Sequence, residues 1–417
     1  MGKTLAEKIV STHTETPAIA GESVITKVDY VFTHDASGPL VVNQLKELGS
    51  DKVFDPKRVI VFIDHAVPSP RRENSNDQKL LKIWADSLGI NFHGPGTGIC
   101  HQVLVERYAS PNTLIVGTDS HSVMAGALAS FATGMGATDV AVSMSLGKTW
   151  IRVPETLRFV LNGTLPSGVY AKDVILYIIG LLGGDGATYK AMEFSGSVVD
   201  KMEMHERLTL SNMVVEAGAK VGLIASDSNT RRYLETRGRE ESFLEIQPDS
   251  DAHYENTFEI TATDLSPMVS FPHSVDNVRR IEEIGEVTIN EVFVGSCTNA
   301  RLEDLQIVAS ILNGRQIDSN VRLIVTPASG ETYATAVKDG TISTLLDAGA
   351  VVTPSGCGAC FGALGGIPAD NEAIFTTTNR NFVGRTGNPS ASTYLGSPAT
   401  AAATALRGMI SDPREVV

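Results

Sequence analysis

EVFVGSCTN, residues 291–299, runs from a β-branched apolar stretch straight into a glycine and a polar turn that carries a cysteine. Such a run, without polar alternation, is the mark of a strand buried on both faces of a parallel sheet. The design recurs at 59–63 before Asp64-His65, at 113–116 before Gly117-Thr-Asp119-Ser120-His121, at 349–353 before Pro354-Ser-Gly-Cys357, and at 373–378 before Asn379-Arg380-Asn381. Helical patterns over 74–88, 302–313 and 399–410 separate these runs. The alternation predicts an α/β fold class built on doubly wound, mostly parallel sheets. Ligands in such sheets bind beyond the carboxyl ends of the strands. Each unusual polar cluster of the sequence falls at such an end, which predicts one shared active site.

A chain of 417 residues with 38 glycines and 42% apolar residues has room for sizeable cores. Changes of pattern at Arg152-Val-Pro154 and across the proline-containing 264–276 divide it into three α/β units, 1–154, 155–270 and 271–417. The middle unit has the weaker strand pattern, and its Gly183-Gly-Asp-Gly186 lacks the lysine and spacing of a phosphate-binding loop, which predicts a tight turn. Against 48 acidic residues stand 34 basic ones, a net charge of -14. That field repels phosphate backbones and anionic membranes, so neither nucleic acid nor a membrane is an expected partner. With no secretory signal and no apolar run near 20 residues, the expected location is cytoplasmic.

The four cysteines, Cys100, Cys297, Cys357 and Cys360, are too few for a disulfide framework. Cys357-Gly-Ala-Cys360 puts two thiols on one turn, and Cys297 closes what should be a neighbouring strand. Three thiolates fall short of the four ligands of a closed zinc site, whereas a cubane iron-sulfur cluster held by three would leave one iron open. Spacing favours the cluster and leaves zinc, a redox pair and inert buried thiols as alternatives. Cys100 reads as a core thiol.

Asp64-His65, His101-Gln102 and Asp119-Ser120-His121, with His34-Asp35 as a weaker fourth member, supply carboxylates and imidazoles suited to proton transfer. Arg380, Arg385 and Arg301 are local cations in an otherwise acidic chain, and guanidinium forks suit carboxylates. An electrophilic iron, imidazole acids and arginine clamps together describe elimination and addition of water on a hydroxy-polycarboxylate.

The ordered motifs resemble the aconitase superfamily over nearly the whole chain, most closely its isopropylmalate-dehydratase and homoaconitase large subunits. The similarity rests on Asp64-His-Ala-Val-Pro68, Gly98-Ile-Cys-His101-Gln102, Gly117-Thr-Asp119-Ser-His121, Ala171-Lys-Asp173, Gly186-Ala-Thr-Tyr189, Asn212-Met-Val-Val-Glu216-Ala-Gly-Ala-Lys220, Gly295-Ser-Cys297-Thr-Asn299, Gly356-Cys357-Gly-Ala-Cys360 and Asn379-Arg-Asn-Phe-Val-Gly-Arg385. Ala359 departs from it, standing where relatives commonly carry proline. The resemblance implies a three-domain aconitase-like core and a [4Fe-4S] cluster on Cys297, Cys357 and Cys360. It further implies His65, oriented by Asp64, as the acid for the departing hydroxyl. His101, Asp119, His121 and Glu216 would surround the iron-bound oxygen, and Asn212, Asn299 and Asn379 would line the cluster. Arg380 and Arg385 are implied as carboxylate binders, with Arg301, Ser120, His34 and Asp35 expected beside them on the substrate side. The family's serine base lies on a mobile fourth domain that this sequence does not contain, so a separate small subunit is the expected partner. The implied reaction is the isomerisation of 2-isopropylmalate to 3-isopropylmalate by dehydration and rehydration, as in leucine biosynthesis. Homoaconitate, methylated malates and citrate-like acids are rival substrates, and a zinc- or RNA-binding module is the non-enzymatic alternative.

Overall fold

A computed structural model describes residues 2–416. Among them are a five-stranded, a four-stranded and a seven-stranded sheet, plus a two-stranded antiparallel ribbon pairing Ser23–Lys27 with Lys148–Arg152. The five-stranded sheet is wholly parallel, in the order Asn91–His93, Val59–Phe62, Tyr30–His34, Leu114–Gly117, Phe131–Gly134. The chain enters at the central strand Tyr30–His34, winds to one side, then returns to wind to the other. The crevice this leaves at a topological switch point therefore opens at His34.

The four-stranded sheet, Val221–Ile224, Ala191–Ser195, Thr156–Asn162, Asn256–Thr261, is also all parallel. In the seven-stranded sheet, Ser392–Leu395, Ala373–Thr376, Glu291–Val294, Arg322–Val325 and Val351–Val352 are parallel, and Met268–Ser270 and Val278–Arg280 add an antiparallel edge. Its second switch point lies at the end of Glu291–Val294, where Cys297 follows.

Burial follows the sequence signature. Every residue of Val59–Phe62, Leu114–Gly117 and Glu291–Val294 is buried, and each large aliphatic or aromatic side chain so removed from water contributes about 1.5–3 kcal/mol. Glu291 is the exception in kind, since its carboxylate is paired with Arg322 at 3.0 Å. Residues 184–189 form the turn expected from the glycines.

The segment after Leu114–Gly117 could not be read as a helix from its composition. Ser120–Leu128 winds as a 3-10 helix, buried almost throughout, with the Asp119 carboxylate accepting the His121 N–H at 2.8 Å to start it. It lies so close to Val221–Ile224 that a Cβ at Gly126 would meet the Gly222 carbonyl oxygen at 1.7 Å. Glycine at 126 is what lets the first two sheets approach.

Candidate active site

The strand ends of the five-stranded sheet bring the expected acid-base residues together. His65 Nδ1 is 2.8 Å from Asp64 Oδ1, its ring stacks on His34 with centroids 3.9 Å apart, and its Nε2 faces Asp119 Oδ2 at 3.7 Å. His101 Nε2 lies 2.9 Å from Asp119 Oδ1, and His121 Nε2 2.9 Å from Glu216 Oε1. Glu216 in turn accepts from Arg380 Nε at 2.8 Å, and Arg380 Nη2 donates to Ser120 Oγ at 2.9 Å. Asp35 is a scaffold for this face: it accepts the N–H groups of His65 and Ala66 at 2.9 and 3.0 Å. Asp64 Oδ2 likewise accepts the Cys100 N–H at 2.6 Å. Cys100 itself is a fully buried thiol whose acidity burial suppresses.

The electrostatics push these groups apart. Burial alone would raise the Asp64 and Asp119 carboxyls, but imidazole partners and hydrogen bonds outweigh it and hold both well below the carboxylate range. Glu216 is lowered too, its burial outweighed by the bond from His121 and the charge of Arg380. For His65, burial is overridden by the charges of Cys357 and Asp64 and by hydrogen bonds to Asp119 and Asp64, which lift the imidazole well above its ordinary value. Its stacking partner His34 goes the opposite way, down to about 4, through burial and the charge on His65. The two stacked rings are thus driven in opposite directions, His65 toward the charged form and His34 toward the neutral one.

Facing this surface are the three cysteines. The backbone N–H of Cys357 donates to the Asp64 carbonyl at 2.9 Å, tying the cysteine turn to the acid-base face. Gly358 has φ +55, and a Cβ there would meet Thr326 Oγ1 at 2.9 Å, so glycine lets the turn sit on its strand. Asn212 Nδ2 donates to Cys297 Sγ at 3.1 Å, Asn379 Nδ2 reaches the same sulfur at 3.7 Å, and Arg385 Nη2 donates to Cys360 Sγ at 3.3 Å. Three amide or guanidinium donors aimed at sulfur suit thiolates. Yet burial and the charges of Cys360 and Cys357 push the Cys297 thiol far up, and burial with the charges of Asp64 and Cys360 pushes the Cys357 thiol up to about 12. Buried thiolates at this density need a cationic centre. All three cysteines are free, and Ser355 Oγ, Thr378 Oγ1 and Arg385 Nε, buried on neighbouring segments, lack hydrogen-bond partners. The donor set therefore fits a metal-sulfur group.

Asp35, expected on the substrate side, spends its carboxylate on backbone N–H groups instead, and two further expected site residues turn away. Arg301, expected to clamp substrate, is 3% exposed and gives its guanidinium to the carbonyls of Cys297 at 2.6 Å, Thr298 at 2.7 Å and His205 at 3.1 Å. It braces the cysteine loop from behind. Asn299, expected to line the cluster, donates to Asp304 Oδ1 at 2.9 Å and Thr209 Oγ1 at 3.2 Å. Ser296, at φ +81, reverses the chain just before Cys297, and the residues after Thr298 lead back into the helix Leu302–Leu312. Thr377 was not singled out by sequence. Its Oγ1 accepts the Gly295 N–H at 3.0 Å and donates to the Asn299 carbonyl at 3.0 Å, clasping the cysteine loop on both sides. Only the Thr376-Thr-Thr378 run after an apolar strand hinted at it.

The sequence model of the aconitase family (aconitate hydratase) matches residues 7–408. The chain belongs to the aconitase family. Within that family it is 51% identical to 3-isopropylmalate dehydratase large subunit 2 of Archaeoglobus fulgidus, the match covering 100% of both chains. It is 51% identical to 3-isopropylmalate dehydratase large subunit 1 of Thermotoga maritima, again over 100% of both. The corresponding large subunit of Elusimicrobium minutum is 49% identical over the same full extent. Among solved structures, the holo-form of aconitase X from Thermococcus kodakaraensis shares the fold at a TM-score of 0.53 and 12% identity, covering 88% of this chain and 87% of that one. The aconitase-like α/β architecture is thus common to chains that have diverged far in sequence. No helix of the described residues is long and apolar enough to cross a membrane.

Proposed function

We propose that the chain is the large subunit of an iron-sulfur hydro-lyase that interconverts 2-isopropylmalate and 3-isopropylmalate by removing and re-adding water. The observation that carries this reading is the geometry that ties the cysteines to the acid-base face: side-chain donors reach the sulfurs of Cys297 and Cys360, and the Cys357 N–H donates to the carbonyl of Asp64, whose carboxylate holds His65 Nδ1 at 2.8 Å. Full-length relatives named as 3-isopropylmalate dehydratase large subunits support the substrate.

Cys297, Cys357 and Cys360 would hold a [4Fe-4S] cluster, which when bound supplies a Lewis-acidic iron not ligated by protein thiolate. Around it the chain's own groups divide the work. With Nδ1 bonded to Asp64, His65 presents a proton on Nε2, the atom that would deliver it to the departing hydroxyl. Asp119, between His65 and His101, fixes both rings. Glu216 orients His121 and Arg380 at once. Arg380 and Arg385 would bind substrate carboxylates: Arg380 Nη1 makes no hydrogen bond among the described residues, and the buried Arg385 Nε has no partner. Their charge would also stabilise the carboxylate as negative charge builds on the carbon skeleton.

A small subunit would complete the site with the base that removes the carbon-bound proton. Support comes from an apolar rim beside the cysteines and arginines, where Phe361, Ile367, Phe382 and Val383 are 37–56% exposed. The test is turnover by the chain reconstituted with iron and sulfide without oxygen, with and without a matching small subunit, on 2-isopropylmalate, homoaconitate and citrate. Turnover only with the small subunit, and fastest on 2-isopropylmalate, is the expected result. Faster turnover of homoaconitate would move the chain to that neighbouring activity, and no turnover of any hydroxyacid would overturn the proposal.

A further inference from the structure

Lys172, the second residue of the helix Ala171–Leu182, is 0% exposed and makes no ion pair among the described residues. Its neighbour Asp173 does not serve it, since that carboxylate accepts the Met268 and Tyr170 N–H groups, both at 2.8 Å. The ammonium instead donates to two consecutive carbonyls, Thr377 at 2.8 Å and Thr378 at 2.6 Å. These carbonyls lie just past the strand Ala373–Thr376, on the segment that leads to Asn379 and Arg380. Thr377 also clasps the Cys297 loop through its hydroxyl, and Asn379 reaches Cys297 Sγ. The negative groups whose fields bear on Lys172 are Asp304 and Asp173, then Cys360 and Cys297. A dry ammonium with neutral acceptors alone is unfavourable, and burial draws it down to about 7. Something else must justify a lysine there.

We propose that Lys172 is a positioning residue that sets a positive charge behind the cysteine loop, offsetting the negative charge of the thiolate-held cluster while pegging the segment that carries Asn379 and Arg380. The proposal rests on the reading of the cysteines as cluster ligands. It makes the same ammonium a burden to the metal-free chain and a support to the loaded one. A purely structural peg would support both alike.

The test compares Lys172→Met and Lys172→Gln with the wild-type chain, each metal-free and anaerobically reconstituted. Lys172→Gln keeps a donor to the carbonyls without the charge, and it preserves the test if Lys172→Met does not fold. Melting temperature, EPR-monitored midpoint potential and rate of iron loss to a chelator are read for each. Loss of the charge should raise the melting temperature of the metal-free chain, lower that of the loaded one, move the cluster potential to more negative values and speed iron loss severalfold. Equal lowering of both melting temperatures, with potential and iron loss unchanged, would overturn the proposal while leaving the cluster reading intact. A wild-type chain that takes up no cluster would instead overturn that reading and the proposal with it.

Discussion

The switch point at His34 and the one at Cys297 have the same strand arrangement, yet they satisfy their polar groups in different ways. At His34 the carboxylates already have donors: Asp35 takes the N–H groups of His65 and Ala66, Asp64 takes that of Cys100, and the imidazoles meet Asp64, Asp119 and Glu216. At Cys297 there are donors aimed at sulfur and buried hydroxyls with no partner at Ser355 and Thr378. The first face meets most of its own needs, with His101 Nδ1 and Gln102 Oε1 the buried atoms there that lack a partner. On the proposed reading the other is completed by a cluster, with proton handling on the first face and electrophile binding on the second.

The contrast breaks if the two faces cannot be damaged separately. Replacing His65 by alanine should cut turnover about 10²–10⁴-fold while leaving iron and acid-labile sulfide content unchanged; loss of cluster in that variant would merge the two faces. Asn212→Ala should do the reverse, weakening cluster retention roughly 10–100-fold, because it removes a donor to Cys297 Sγ and leaves the acid-base groups in place. Chelator-driven iron loss followed by absorbance checks this.

The arginines sharpen the same division. Arg380→Met should raise KM roughly 10–100-fold, the worth of a charge-assisted carboxylate bond, and Arg301→Met should not act through KM. It should instead lower stability by about 1–3 kcal/mol for each loop carbonyl left without a donor, read by denaturant unfolding. A KM effect of Arg301→Met equal to that of Arg380→Met would restore it to the substrate side.

A control far from both faces is His13, 2.7 Å from Asp29. Burial would lower His13, but its bond to Asp29 prevails and raises it above 6.5; burial would raise Asp29, and the same bond lowers it below 3.8. The histidine's contribution is full below its unfolded value and fades as pH climbs through its raised one. That of the carboxylate is full above its unfolded value and fades as pH drops through its lowered one. The stability difference between wild type and His13→Asn should therefore be largest between about pH 3.8 and 6.5, in urea titrations, and unaffected by cluster loading.

Much of this was legible in the sequence, for a physical reason. Strands buried on both faces of a parallel sheet must be continuous apolar runs, so the strands ending at Phe62, Gly117, Val294 and Thr376 stand out, and with them the polar groups at their tips. The middle sheet was less legible because Arg158, Glu193 and Glu259 interrupt its strands. Proximity along the chain misassigned Arg301 and Asn299: nothing in their identity says that the backbone reverses at Ser296 and carries them behind the loop. Lys172 beside Asp173 looks like an ordinary helix-start ion pair. Only the fold shows the two side chains parted, with the ammonium delivered to the cysteine side.

The central claim, that the cysteine face is completed by an iron-sulfur cluster, is tested most directly by iron and acid-labile sulfide on the wild-type and Cys360→Ser chains after reconstitution without oxygen. About four irons with matching sulfide per wild-type chain, and neither in the variant, is the predicted result. Zinc without sulfide, or a Cys360→Ser chain that holds as much iron as wild type, would contradict it.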